Sequence, residues 1–270
     1  LIGASGAGGA GEFRIERSLR FDQTATAHLS RTPSANGNKK KWTWSGWVKR
    51  CTNGNRDGLF EAEANGNYTL LRIRDDNDKI SLDQYGGGNF YVLTDAVFRD
   101  NSSWYHIVCV VDTTQSTDSN RVKIYVNGVQ QTLTAGTNWP SQNQDTRFND
   151  SSYAMRISGV NGGTQFDGYM AEVHIVDGLA LAPTDFGEFD SDTGVWNPIE
   201  YSGSHGTNGA HLDFSDNSST SALGNDAAGS NNFTANNFSV ASGEGNDSLL
   251  DTPMNYEADS GNNGGNYCVW

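Results

Sequence analysis

The stretch that decides the fold is SWYHIVCVVD at residues 103–112, followed by VKIYVNGV at residues 122–129. Both runs are rich in β-branched and aromatic residues, a composition that favours strands. Asn127-Gly128 interrupts the second run, and an Asn-Gly pair readily adopts the positive φ angles of a two-residue hairpin turn. Cys109 stands within the first run, where we expect a small buried hydrophobic residue. The segment therefore predicts two short strands and a tight turn.

Similar patterns extend along the chain on both sides. Phe13, Ile15, Leu19 and Phe21 share one parity among charged neighbours, which predicts a half-buried strand with these four side chains on one face. Further strands are predicted at 27–30, 42–48, 58–63, 67–74, 79–84, 89–93, 103–112, 121–127, 153–158 and 165–176, with a second Asn-Gly hairpin turn at 65–66 and a short helical turn at 182–186. About ten short strands at this spacing predict an all-β, two-sheet antiparallel jelly-roll sandwich.

The amino-acid composition divides the chain into three parts. Residues 1–11 are Gly-rich and cannot order alone, so they form either a flexible leader or an arm that docks on a neighbouring subunit. Residues 12–190 form the sandwich. Residues 191–270 carry few apolar groups among many Gly, Asn, Ser and Asp, and we expect an extended, loop-rich appendage that partner chains complete and that leads into further chain.

The charge and the hydropathy exclude two classes of partner. The chain has 18 basic and 32 acidic residues and a formal net charge of −14. A nucleic-acid-binding protein needs a cationic face, and the only basic run, at 39–41, is expected to be a solvated loop. No segment approaches the roughly 18 apolar residues of a membrane span, so no membrane insertion is expected.

The strands at 103–112 and 123–128 resemble those of the laminin-G-like, concanavalin A-like jelly roll, where a Trp-x-His-hydrophobic run precedes a hydrophobic-Tyr-Val-Asn-Gly hairpin. FDGYMAEVHI at 166–175, with Leu-Ala-Leu at 179–181, is similar to the closing strand and short helix of that family. The resemblance covers residues 13–190. It implies a lectin-like sandwich.

A narrower resemblance connects the chain to lectin-like virion proteins of tailed bacteriophages. It rests on IERSLRF at 15–21, LSRTP at 29–33, WTWSGWVKR at 42–50, the Asn-rich region 224–238 and GNDSLLDTP at 245–253. The resemblance implies a non-enzymatic tail fibre, spike or head fibre in the virion, assembled in the host cytoplasm. Its partners would be other virion proteins and copies of itself, commonly as a homotrimer, with a host-surface glycan as ligand. A carbohydrate-binding lectin domain of a secreted protein remains the main alternative.

Three loop residues are candidates for carbohydrate binding: Tyr85, Asn89 and Trp139. An exposed aromatic ring stacks on a sugar ring, while amide and carboxylate side chains bind its hydroxyl groups. The alternative is that both rings pack on the sandwich or on a neighbouring subunit.

Catalytic and metal signals are weak. EFDSD at 188–192 resembles the Glu-x-Asp-x-x-Glu site of sandwich-fold glucanases, but its last Glu is missing and Thr193-Gly194 breaks the strand, so no enzyme is predicted, with a glycoside hydrolase as an unfavoured alternative. The five histidines lack metal-like spacing, so no metal site is predicted, and His106 is expected to make a structural hydrogen bond. The acidic run 75–78 predicts a turn rich in Asp and Asn; Ca²⁺ there is left open, and no other cofactor is expected.

Overall fold

The computed structural model describes residues 13–159 and 163–254, and strands dominate both ranges. The strands are β1 (Ser18–Phe21), β2 (His28–Arg31), β3 (Lys41–Arg50), β4 (Asp57–Ala64), β5 (Asn67–Ile73), β6 (Ile80–Tyr85), β7 (Phe90–Thr94), β8 (Tyr105–Asp112), β9 (Val122–Val126), β10 (Val129–Gln130), β11 (Leu133–Ala135), β12 (Ala154–Ile157), β13 (Gly168–Asp177), β14 (Gly187–Phe189), β15 (Trp196–Pro198), β16 (Ala210–Leu212), β17 (Thr234–Asn236) and β18 (Ser248–Leu249). Short 3₁₀ turns cover Asp118–Asn120, Pro183–Asp185 and Thr220–Gly224.

The strands form two large antiparallel sheets that pack face to face. The first sheet has the order β10-β9-β8-β3-β13-β1-β18, with β16 also paired to β13, and the second has the order β11-β7-β6-β5-β4-β12-β2-β17. Strands β14 and β15 form a separate hairpin. The predicted all-β jelly-roll sandwich is confirmed. No helix within the described ranges is long and apolar enough to cross a membrane.

The core between the sheets is aromatic at its centre. The rings of Phe60 and Phe148 stack with centroids 4.0 Å apart, and the ring of Trp42 packs edge-on against Phe148 at 4.7 Å. The Trp42 indole N–H donates to Thr146 Oγ1, so burying this large side chain leaves no unpaired donor there. Cys109 is fully buried as a free thiol, as expected.

Both Asn-Gly turns are present. Asn65 and Gly66 have φ angles of 53° and 77°, and Asn127 and Gly128 have 48° and 77°. These paired positive values are those of the tight hairpin turn that matches the twist of the flanking strands.

The N-terminal strand is shorter than predicted. Strand β1 begins at Ser18, and only Leu19 and Phe21 face the core between the sheets. Ile15 instead packs on the outside of the first sheet against Trp47 and Trp196. The prediction of one face for all four side chains was wrong, because an apolar cluster outside the sheet provides a second place to bury Ile15.

The segment after residue 190 differs from the expected extended appendage. In its described part, up to residue 254, β16 pairs with β13, β17 with β2 and β18 with β1. Its apolar side chains enter the main core: Leu212, Phe214, Leu223, Phe233 and Phe238. These five side chains of the segment are therefore part of the sandwich core, whereas Val195 stays exposed. The division at residue 190 stays a prediction, and residues 1–11 lie outside the described ranges.

Candidate functional site

The three predicted carbohydrate-binding residues are not gathered in one pocket. Tyr85 ends β6 and is 56% exposed, with its ring 5.9 Å from that of Tyr68. Asn89 accepts a hydrogen bond from the Gly87 N–H at 3.1 Å and so braces the glycine loop. Trp139 is partly buried against the core and lines a separate depression that neither Tyr85 nor Asn89 reaches. Their role in sugar binding stays a prediction.

Tyr85 does lie on a larger surface, the outer face of the second sheet. Along β6, Ile80 and Leu82 point into the core, so the alternating residues Ser81, Asp83 and Tyr85 point outward. The neighbouring strands follow the same rule. Residues on this face therefore come from β12, β4, β5, β6 and β7.

Strand register arranges these outward side chains in rows. In one row Glu61 of β4 lies opposite Leu70, Leu70 opposite Asp83, and Asp83 opposite Tyr91 of β7. Arg156 of β12 continues this row beside Glu61. We call these five residues the charged row.

A second row runs parallel to the charged row, one residue pair away. It places Glu63 opposite Tyr68 and Tyr68 opposite Tyr85. Tyrosines thus flank the carboxylates on two sides of this face.

Ion pairs hold the charged row in place. Asp83 pairs with Arg72 and lies 3.6 Å from Arg74, whose guanidinium covers the Tyr91 ring at 4.6 Å. Burial raises the pKa of Asp83, and the positive charge of Arg72 partly offsets this effect. The carboxylates of this row are buried and ion-paired, so the group that the face presents most fully to solvent is the Tyr85 ring, and an exposed aromatic ring can stack on a sugar face.

Sequence reasoning found Tyr85 but missed Tyr68, Tyr91 and the carboxylates beside them. The signal was present as alternation within each strand, in Tyr68-x-Leu70-x-Arg72 and in Ser81-x-Asp83-x-Tyr85. Which of the two parities faces outward, and which residues become neighbours, depends on strand register, which the sequence does not state.

The glucanase-like segment forms a structural turn. Glu188 and Phe189 lie exposed on β14. Asp190 accepts hydrogen bonds from the Thr193 N–H at 2.7 Å, the Thr193 hydroxyl at 2.8 Å and the Asp192 N–H at 3.0 Å. These bonds lower the pKa of Asp190, which disfavours the protonated form that a general acid needs.

The acidic run 75–78 is a turn, as predicted, and arginines approach its carboxylates. Arg56 binds Asp75 at 3.0 Å and Arg74 binds Asp76 at 2.8 Å. Asp78 bridges the fully buried Arg50 at 3.0 Å and Arg99 at 2.9 Å. These ion pairs engage both carboxylate oxygens of Asp76 and Asp78 and one of Asp75.

A second polar cluster lies on the outer face of the first sheet. His211 Nε2 is 2.7 Å from Glu172 Oε2, and His174 Nε2 is 3.6 Å from the same oxygen. On its other side, His174 Nδ1 is 3.1 Å from His205 Nε2. We call these four residues the histidine cluster.

Glu172 and His174 are buried, His205 and His211 are partly exposed, and the charges of the cluster affect one another's pKa. Burial by itself raises the pKa of Glu172, but the contacts with His174 and His211 outweigh it and hold the pKa at about 2. Burial lowers the pKa of His211, but the carboxylates of Glu172, Asp213 and Asp226 together raise it by more, so the net shift is upward. The spacing of histidines in the sequence did not predict this cluster, because β13 supplies Glu172 and His174 whereas β16, far along the chain, supplies His211.

His106 makes the structural hydrogen bonds expected of it. The Trp196 indole N–H donates to His106 Nδ1 at 3.0 Å, so the ring proton lies on Nε2, which is 2.9 Å from Ser45 Oγ. Burial lowers the pKa of His106 to about 3, and His174 adds to the effect.

Comparison with known families gives one match. The family model Laminin_G_3, described as the concanavalin A-like lectin/glucanases superfamily, matches residues 22–185, more than half of the chain. A comparison of the sequence with curated proteins finds no match.

Solved structures with a similar fold share little sequence with this chain. A pentraxin from Limulus polyphemus is 14% identical with a TM-score of 0.44, over 62% of this chain and 78% of the pentraxin. Domains LG4-5 of the mouse laminin alpha1 chain are 12% identical with a TM-score of 0.44, over 72% of this chain and 46% of theirs. The enzymatically active domain of tailspike protein 2 from bacteriophage CBA120 is 13% identical with a TM-score of 0.44, over 63% of this chain and 26% of that one. At these values the likenesses do not bear on function.

Proposed function

Because the chain belongs to the concanavalin A-like lectin/glucanases superfamily, we propose that it is a non-enzymatic, glycan-binding attachment module of a bacteriophage virion. The family accounts for the lectin-like sandwich. The virion assignment rests on the resemblance of residues 15–50 and 224–253 to lectin-like phage virion proteins.

The observation that carries the glycan-binding part is the outer face of the second sheet. Tyr85 is the most exposed of its tyrosines, and its ring lies beside Tyr68. In the adjoining charged row the carboxylates of Glu61 and Asp83 are buried near Arg156 and Arg72, and these ion pairs hold the face rigid. A sugar that stacks on Tyr85 would meet Tyr68 one strand away and Glu63 two strands away, at about 4.8 Å per strand.

The non-enzymatic part rests on how the carboxylates are held. A glycosidase needs two accessible carboxyl groups that are free to titrate, about 5–5.5 Å apart in a retaining enzyme and about 6.5–9.5 Å apart in an inverting one. On the outer face, Glu61 and Asp83 lie two strands apart, and arginines approach both. Because both carboxylates are buried beside arginines, they are not free to act as the nucleophile and the acid of a glycosidase.

A glycan array of bacterial surface polysaccharides, followed by calorimetry on the best ligand, tests the binding function. We expect Tyr85→Ser to weaken binding about tenfold, because a lost stacking contact contributes about 0.5–1.5 kcal/mol. Val129→Ser is the matched control: Val129 is similarly exposed but lies on β10 of the other sheet.

Equal affinity of the Tyr85 variant and the wild-type protein would place the ligand elsewhere. New reducing ends in the incubated polysaccharide would identify a hydrolase instead. Light scattering tests the proposed homotrimer, and immunogold microscopy of virions tests the location; a monomer, or unlabelled particles, would contradict those parts.

A further inference from the structure

The inference begins with an unusual backbone conformation at Glu172. In β13, Ala171 lies opposite Trp47 and His174 lies opposite Ser45, so β13 contains one extra residue at this point. Glu172 has a φ of 48°, in a region that a residue with a side chain adopts only when its surroundings impose it. The strand therefore carries a β-bulge centred on Glu172.

The bulge changes the direction of one side chain. Met170 and Val173 face the core, and Ala171 and His174 face outward. In a regular strand the residue after Ala171 would point into the core. The bulge turns Glu172 outward instead, so that its carboxylate lies beside His174 and His211.

The three side chains converge. A ligating oxygen or nitrogen from each of Glu172, His174 and His211 lies within 4.8 Å of the others. Both His211 Nε2 and His174 Nε2 are directed at the same carboxylate oxygen, at 2.7 and 3.6 Å. The longer distance exceeds that of a hydrogen bond, so His174 Nε2 and Glu172 Oε2 face each other across a gap that suits a cation.

The surroundings hold each group in place. His205 Nε2 is 3.1 Å from His174 Nδ1 and can accept a hydrogen bond from the Nδ1–H of His174. Hydrogen bonds of this type orient metal-binding histidines. The His205 carbonyl accepts the Asp177 N–H at 2.9 Å, which fastens this loop to the end of β13. The backbone N–H of His211 donates to Asp226 Oδ1 at 2.9 Å, which fixes the position of β16.

We propose that Glu172, His174 and His211 bind a divalent transition-metal ion, best matched by Zn²⁺, which ties β16 to β13. Two imidazoles and one carboxylate form a ligand set that zinc uses, with a fourth position left for water or another ligand. His205 is the positioning residue for His174. This assignment differs from the sequence-based expectation of no metal.

Access and ring geometry set the conditions for binding. His211 and His205 line a polar cleft of about 400 Å³ that also includes Asp226 and opens to solvent. The rings of His174 and His211 stack at 4.1 Å with an angle of 16°, and a metal ion lies in the plane of each ring that binds it. The rings must therefore tilt apart on binding, and His211, which is partly exposed at the cleft, has the space to do so.

The proposed site has a structural consequence. β13 belongs to the part of the chain that the family model matches, whereas β16 lies beyond it. A bound ion would connect the two parts by bonds to both strands. Metal binding should therefore raise the melting temperature of the whole domain.

Calorimetry of the EDTA-treated, full-length chain with ZnCl₂ tests the site, together with the absorption of the CoCl₂-loaded protein. We expect one ion per chain and a visible Co²⁺ band of a four-coordinate site. His211→Ala and Glu172→Gln should each weaken binding at least 100-fold, and His205→Ala about 10- to 100-fold through the lost outer hydrogen bond. His28→Ala is the control, because His28 lies on the second sheet, away from the cluster.

Two results would overturn the proposal: the absence of stoichiometric binding below 100-fold excess metal, or equal binding by the wild-type protein and the His211 variant. If a cluster variant fails to fold, X-ray absorption of the zinc-loaded wild-type protein still decides. Scattering from two imidazole ligands supports the site, and a shell without imidazole refutes it. Glycan binding is measured separately, so its failure leaves this test intact.

Discussion

The outer faces of the two sheets are covered in different ways. On the first sheet, Phe186, Trp196 and Tyr201, which come after the family-matched part of the chain, pack over β8 and β13 and bury His106 and His174. On the second sheet, long side chains of the sheet's own strands pair across the charged row. One face is sealed by additional chain, whereas the other buries its ion pairs among its own side chains and leaves Tyr85 exposed. The covered face of the first sheet therefore adds stability, and the open face of the second sheet is the one suited to glycan binding.

The largest effect is expected where the additional chain enters the core. Phe233 is buried in the main core although it lies well beyond the family match. Phe233→Ala should lower the free energy of unfolding by about 3–5 kcal/mol, because it removes a large buried ring and leaves a cavity. Urea unfolding followed by tryptophan fluorescence measures this change.

Val195→Ala is the control for that measurement, since Val195 belongs to the same segment but is exposed. It should change stability by less than about 0.5 kcal/mol. If both variants were equally stable, the segment after residue 190 would be an appendage, as the sequence suggested, and the contrast between the two faces would disappear.

The next effect concerns the charged row. Arg72→Met leaves the buried Asp83 carboxylate without its main partner, and we expect a loss of about 3 kcal/mol in the free energy of unfolding. The double variant Arg72→Met/Asp83→Leu should recover most of the loss, because a buried ion pair contributes little beyond an apolar pair of similar volume. A thermodynamic cycle from urea unfolding provides the coupling. Recovery of stability together with loss of glycan binding would show that the ion pair serves binding.

The fold was more predictable from sequence than either site. Alternation and the two Asn-Gly turns predict β4 to β9, because these features act over a few neighbouring residues. Ala210, Leu212 and Phe214 also alternate and are buried, but the runs of Gly, Asn and Ser around them hide the signal. Composition alone therefore gave the impression of an extended segment.

The sites were harder to predict for a physical reason. The charged row depends on the register of β12, β4, β5, β6 and β7, and the histidine cluster depends on an inserted residue in β13. A shift of one residue in any strand would reverse which side chains face outward. Neither the register nor the bulge leaves a local mark such as a His-x-x-x-His spacing.

A smaller effect is expected on the sealed face, as a pH dependence. The pKa of His106 in the folded protein is about 3, below its ordinary value near 6.5, so the unfolded chain binds a proton that the folded chain excludes. Stability from this group is fully present above pH 6.5 and is lost as the pH falls toward 3, by about 1.4 kcal/mol per pH unit between pH 6 and 5.

Thermal unfolding at pH 7, 6 and 5 measures that dependence. His106→Gln keeps an acceptor for Trp196 and a donor for Ser45 but cannot titrate, so its stability should fall less steeply over this range. Parallel curves for the two proteins would mean that His106 takes up its proton equally in the folded and the unfolded chain, and that the outer face of the first sheet is less well sealed than its contacts indicate.

The smallest effect belongs to the open face. Tyr85 is more than half exposed, and its ring stacks on the ring of Tyr68. Tyr85→Ser should therefore lower the free energy of unfolding by no more than about 0.5 kcal/mol. The same substitution is expected to reduce glycan affinity about tenfold, and this division between stability and binding is what separates a binding residue from a packing residue. A loss of stability near that of Phe233→Ala would make Tyr85 part of the packing of the sandwich, which was the alternative that the sequence left open. The two outer faces would then both serve stability, and the ligand would have to bind at the loops around Trp139 instead.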